Sequence, residues 1–226
     1  LSIVWLHFRQ EETLIVEKRL PFTITVILHG IKETLSNKTS RNYMLASGFI
    51  FGSFIGYLSS SQQLLQVHYQ LGEQFALYFG VLALAVGLSS FANSKLVMRY
   101  KMVNLCLVSL TGLLTFSAMF LAYCLLITGE PALLVLMMYL SATFFCFGIL
   151  FGNLNALAVQ PLGHIAGVAT SVISSIQTLI SVFIGGYIGY LYNGSVMPLT
   201  IGFLICALLS IILVLRAKQK GKLNAA

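Results

Sequence analysis

Six stretches, each without a single Asp, Glu, Lys or Arg, run through this chain at approximately 42–60, 75–94, 102–127, 132–152, 168–192 and 196–215. A helix crosses the hydrocarbon core of a bilayer in about 20 predominantly apolar residues, so each stretch is long enough for one crossing. Barrel strands would instead show about ten-residue segments of strict alternation, a pattern these stretches lack. The sequence therefore predicts an all-α membrane protein, a bundle of six transmembrane helices. Composition agrees, because only 8% of the residues are charged and none is Asp, whereas a water-facing surface draws on about 25%. The breaks between stretches carry turn chemistry: Thr128-Gly129-Glu130-Pro131, Gln160-Pro161-Leu162-Gly163 and Asn193-Gly194-Ser195. Pro131 and Pro198 stand where a helix would begin, the position at which a missing N–H does no harm.

The charges give the bundle a direction. Of the 13 basic residues, Arg9, Lys18, Arg19, Lys32, Lys38 and Arg41 precede the first stretch. Lys95, Arg99 and Lys101 lie between the second and third, and Arg216, Lys218, Lys220 and Lys222 follow the sixth. If six spans alternate, all of them fall on one side, and the opposite loops 61–74, 128–131 and 193–195 contain none. Basic loops stay cytoplasmic, so the pattern predicts a multi-pass protein with both ends in the cytoplasm and the lipid bilayer as its main partner. The net charge of +7 forms no basic stripe interleaved with stacking aromatics, which argues against nucleic acid.

Four segments follow. Residues 1–8 read as the end of a preceding helix, 9–41 as a cytoplasmic linker, 42–215 as the bundle and 216–226 as a basic cytoplasmic tail. Within the linker, Ile24, Ile27, Ile31 and Leu35 recur at helical spacing, the pattern of an amphipathic helix on the membrane surface; a plain connector is the alternative. Cys106, Cys124, Cys146 and Cys206 each fall inside an apolar stretch at no metal-ligand spacing, as buried small hydrophobes do.

Within the spans, small residues recur every four positions at Gly48, Gly52 and Gly56, at Gly148 and Gly152, and at Gly185 and Gly189. Such faces let helix backbones approach closely, and smooth faces also let helices rock. Among the few polar side chains, Asn104, Asn153, Asn155 and Gln177 stand out. An amide facing lipid is costly, so these are expected to face other helices or a cavity. Gln177, near mid-span, is the candidate for substrate contact, with an interhelical hydrogen bond as the alternative. Asn153 and Asn155 are expected to cap or brace a helix end. Phe51, Phe54, Tyr57, Phe75 and Phe79 are candidates to line an apolar pathway, or simply to pack. His68 and Glu73 on one face, and His164 on the other, read as solvated loop residues. No metal-binding, nucleophile or phosphate-binding motif occurs, so neither an enzyme nor a cofactor is expected.

Two regions carry a resemblance. Asn153–Ser175, reading NLNALAVQPLGHIAGVATSVISS and followed by Gln177 and Gly185-Gly186-Tyr187-Ile188-Gly189, is similar to the tenth-to-eleventh helix region of the bicyclomycin-resistance (Bcr/CflA) family of drug:proton antiporters in the major facilitator superfamily. The motif is carried by Asn155, Ala156, Pro161, Gly163, His164, Ala166, Gly167, Ala169 and Ser171. Trp5–Leu14, with Glu12, Thr13 and Leu14, resembles the end of that family's sixth helix. The resemblance implies that the six spans are family helices seven to twelve, the C-terminal half of a facilitator fold. It further implies a bacterial inner-membrane protein of multidrug efflux and antibiotic resistance, working by proton antiport and alternating access. Its substrate would be small and largely apolar, and its partners protons and an N-terminal six-helix half that carries most of the proton coupling. The competing readings are a non-transporting membrane protein or degenerate transporter fragment, and a nutrient-importing facilitator.

Overall fold

The computed structural model describes residues 5, 8, 9, 23–127 and 130–223. The expected end of a preceding helix and the linker up to residue 22 lie outside these, save for Trp5, Phe8 and Arg9. The described residues form seven helices, α1 (Ile24–Ser36), α2 (Lys38–Ser61), α3 (Phe75–Leu96), α4 (Met102–Leu126), α5 (Leu133–Val159), α6 (Ala166–Tyr190) and α7 (Met197–Leu223). The apolar run Leu133–Tyr190 is 58 residues long, about twice what one crossing needs. It divides at the 3-10 segment Gln160–Ile165, where Pro161 sits at the start and Leu162 has non-helical angles (φ −119°, ψ 26°). Helices α2 to α7 are thus six long apolar helices.

Helix ends differ from the ends of the uncharged stretches, because polar flanks extend a helix into the interface where the backbone is capped. Asn37 Oδ1 accepts from the N–H groups of Thr39 (3.1 Å) and Ser40 (3.0 Å), so α2 starts at Lys38 and takes Lys38 and Arg41 into its first turns. Its far end runs on as a π-helical stretch, Gln62–His68. α5 continues to Val159 and α7 to Leu223, so part of the expected tail is a helical extension of the last span.

α2 packs on α5, α6 and α7, while α5 packs on α2, α3 and α4, and α4 also packs on α7. Exchanging α2 with α5, α3 with α6 and α4 with α7 maps these pairings onto themselves, the signature of two similar three-helix units. Registers fix the relative directions. Gly48, Gly52 and Gly56 of α2 meet Ile180, Ile184 and Ile188 of α6 in the same order, so α2 and α6 run parallel, as first and fifth spans must if six alternate. A miscounted span between them would have reversed one.

α1 lies against the start of α6. Its buried positions are Gly30 and Thr34, whereas Ile24 of the expected apolar stripe is 76% exposed. Gly30 decides the face, because a Cβ there would come within 2.9 Å of Val168 Cγ1. Glu33 meets His164 Nε2 at 2.7 Å beside that contact, so His164 is exposed but paired. At the other end of the bundle His68 pairs with Glu130 at 3.2 Å, and Tyr69 donates to the Pro131 carbonyl (2.8 Å). Burial, and next the Glu130 charge, push the Tyr69 hydroxyl above its usual range, so it remains a donor at neutral pH.

Candidate functional site

The aromatic candidates converge where α2, α3 and α5 meet. Phe51 lies 4.3 Å from Phe151, and Phe54 packs edge-on against Phe144 (5.5 Å) and Phe151 (5.3 Å). Tyr57 is edge-on to Phe144 at 4.8 Å and stacks on Phe79 at 6.3 Å. Tilted and edge-to-face pairs at such spacings are the favourable geometries for ring quadrupoles. Phe75 touches the group through Phe79 alone, at 5.7 Å. The α5 rings Phe144, Phe147 and Phe151 are absent from the sequence-based candidates, although their three- and four-residue spacing marks one helix face.

The cluster is graded from closed to open. Tyr57, Phe144 and Phe147 are buried, while Phe51, Phe54 and Phe151 are partly exposed, next to exposed Gly152. A Cβ on Gly152 would meet nothing within 4 Å. Gly152 therefore lines the open face, whereas Gly148, four residues earlier, packs against Ser89 and the Val86 carbonyl of α3. The Tyr57 hydroxyl is fully buried and has no hydrogen-bond partner. A buried hydroxyl without a partner is costly, which makes this atom the most conspicuous polar feature of the aromatic wall.

Gln177 is buried on α6, and its Oε1 accepts from Ser47 Oγ of α2 at 2.9 Å. It sits on the α2–α6 seam. That seam is built from small residues on both sides: a Cβ on Gly52 would lie 2.7 Å from Ile184 Cβ, one on Gly56 2.9 Å from Ile188 Cβ, and one on Gly189 2.7 Å from Ser59 Oγ. Gly185 meets Ile55 and the Gly56 backbone. Asn153 lies six residues before the end of α5, not at it, and its amide donates to Asn93 Oδ1 of α3 at 2.8 Å. It pins two helices rather than capping one. Asn155 is partly buried one turn from the end of α5.

The remaining motif residues shape the α5–α6 turn. Pro161 and Gly163 are exposed in the 3-10 segment, Ala166 opens α6, and Ser171 donates to the Gly167 carbonyl at 3.1 Å. A lateral groove of about 620 Å³ lies elsewhere, between α6 and α7 with Phe49 on its lining. It borders the seam through Ile184 and Ile188 and takes in none of the aromatic candidates. Among the described residues, no three His, Cys, Asp or Glu side chains are grouped to hold a metal ion.

Comparison with known proteins bears on what such a bundle does. Over 198 residues the chain is 25% identical to an uncharacterised MFS-type transporter, YdgK, of Bacillus subtilis (strain 168). The match takes in 84% of this chain and 46% of the relative, so the chain spans about half the length of the curated relative it matches. This chain is a distant homologue of a transporter. No protein-family model matches it, and no solved structure matches it significantly. The homology and the six long apolar helices agree on a multi-pass membrane protein of facilitator-like type, in contact with the bilayer.

Proposed function

We propose that this chain is the C-terminal half of a major-facilitator drug:proton antiporter of the bicyclomycin-resistance type, resident in a bacterial inner membrane with both ends cytoplasmic. Three observations support the reading: the motif around Asn155–Ser171, a match to less than half of a transporter's length, and the half-open aromatic wall. The wall carries the substrate argument. Phe51, Phe54 and Phe151 offer ring faces at an open surface of α2 and α5, and no charged side chain lies in the uncharged stretches. Such a wall suits small, largely apolar and preferably planar compounds, held by ring contact and apolar burial. The Tyr57 hydroxyl supplies one hydrogen-bonding position when the rings part.

Transport in this reading follows alternating access, with one six-helix half rocking against the other around a midplane site. The glycine-lined α2–α6 seam keeps its two helices moving as one body. Proton coupling falls to the N-terminal half, because the spans here hold no carboxylate. The test is export of a fluorescent aromatic dye by the full-length protein in vesicles with an imposed pH gradient. Replacing Phe54 and Phe151 together by Ala is expected to weaken apparent dye affinity about tenfold, the equivalent of losing roughly 1.4 kcal/mol of ring contact. Unchanged affinity would remove the aromatic wall from the substrate path.

A further inference from the structure

Among the described residues, the lysines and arginines at one end of the bundle have no carboxylate partner. Every ion pair among the described residues uses a histidine: His29 and His164 with Glu33, and His68 with Glu130. No lysine or arginine there is paired with a carboxylate. The sequence holds no acidic residue between Glu73 and Glu130 and none after Glu130. Yet Lys101 is the N-cap of α4, preceded by Arg99, and the last turns of α7 carry Arg216 and Lys218, with Lys220 and Lys222 following in sequence. The fold brings these two groups together, since α4 and α7 pack on each other and Lys218 Nζ donates to Asn104 Oδ1 of α4 at 3.4 Å. Asn104, an unexplained amide in the sequence, thus joins the two helix ends.

Two further features select the counter-charge. No side chain caps the N-terminus of α4, so its dipole adds positive potential to the same corner. One turn further into the bundle, Val108 (71% exposed) stands four residues after Asn104 on α4 and Leu215 (43% exposed) three residues before Lys218 on α7, each on the helix side of that contact. Met98 and Tyr100 are exposed in the segment before α4. A basic rim above an apolar wall matches one molecule in both parts. We propose that the α4–α7 corner is a binding site for an anionic phospholipid, its phosphate held by Lys101 and Lys218 and an acyl chain laid along Val108 and Leu215. Free phosphate would satisfy the rim and leave the wall unexplained. Basic clusters at span ends gain roughly 1 kcal/mol per charge near an anionic surface, and a fixed corner adds selection to that general attraction.

The experiment places the full-length protein in nanodiscs of phosphatidylcholine alone or mixed with phosphatidylglycerol, and follows thermal unfolding. Phosphatidylglycerol is expected to raise the unfolding temperature, and Lys101→Gln with Lys218→Gln to abolish most of that shift. Lys32→Gln with Lys38→Gln, basic positions on α1 and α2, is expected to keep it. If the double variant does not fold, Lys101→Gln alone is read in its place and should lose part of the shift. The proposal is overturned if the corner variants keep the whole shift, if both sets lose it equally, or if inorganic phosphate added to phosphatidylcholine discs reproduces it.

Discussion

The α2–α6 and α3–α5 pairs occupy corresponding places in the two three-helix units, and both run parallel, yet they are held together by different means. α2 and α6 mesh through Gly48, Gly52 and Gly56 against three isoleucines, with Gly185 returning the contact. α3 touches α5 near Gly148 and through the Asn93–Asn153 bond, while Leu77, Leu84, Leu88 and Phe91 remain 63–68% exposed. In lipid, apolar side chains gain little by leaving one apolar surroundings for another, so close van der Waals fit and polar pins must supply the adhesion. The first pair fits closely along several turns, with the Ser47–Gln177 bond inside the seam. The second combines a close approach at Gly148 with the Asn93–Asn153 pin and leaves most of α3 uncovered. One side of the bundle is a close-fitted seam and the other presents exposed apolar side chains.

That contrast ranks the expected effects of substitution. Gly52→Leu should be the most damaging, since its first added atom already meets Ile184 at 2.7 Å; overpacking of this kind costs about 3 kcal/mol, read as loss of reversible unfolding stability in mixed micelles. Asn153→Leu comes next, because it leaves the Asn93 amide unpaired, at a cost of about 1–2 kcal/mol by the same assay. Gln177→Leu removes the Ser47 bond within an otherwise sealed seam and should cost about 0.6 kcal/mol. Gly87→Ala on α3, where a Cβ meets nothing within 4 Å, should change stability by less than about 0.5 kcal/mol. If Gly87→Ala proved as harmful as Gly52→Leu, the distinction between sealed and open pairs would collapse.

The sequence made the spans legible because lipid imposes a single rule on every residue of a crossing helix: no unpaired charge over about 20 positions. Helix ends were less legible, since capping by Asn37 and the helical extensions of α5 and α7 depend on a few polar atoms at the interface. The aromatic cluster was half visible. Phe51, Phe54, Tyr57 and Phe79 stand out by composition, but their α5 partners lie almost a hundred residues away in sequence. Asn93 carries no signal of its own for the same reason: its role comes from Asn153, 60 positions on. Spacing also grouped Gly148 with Gly152, though one packs and the other faces open space, because periodicity locates a helix face without saying where its neighbour stands.

The proposal that this bundle works as one half of a larger transporter can be tested directly on residues 1–226. Reconstituted alone in vesicles with an imposed pH gradient, they are predicted to insert and fold yet export no dye, while the full-length protein under the same gradient does. Proton-driven efflux by residues 1–226 alone would contradict the account.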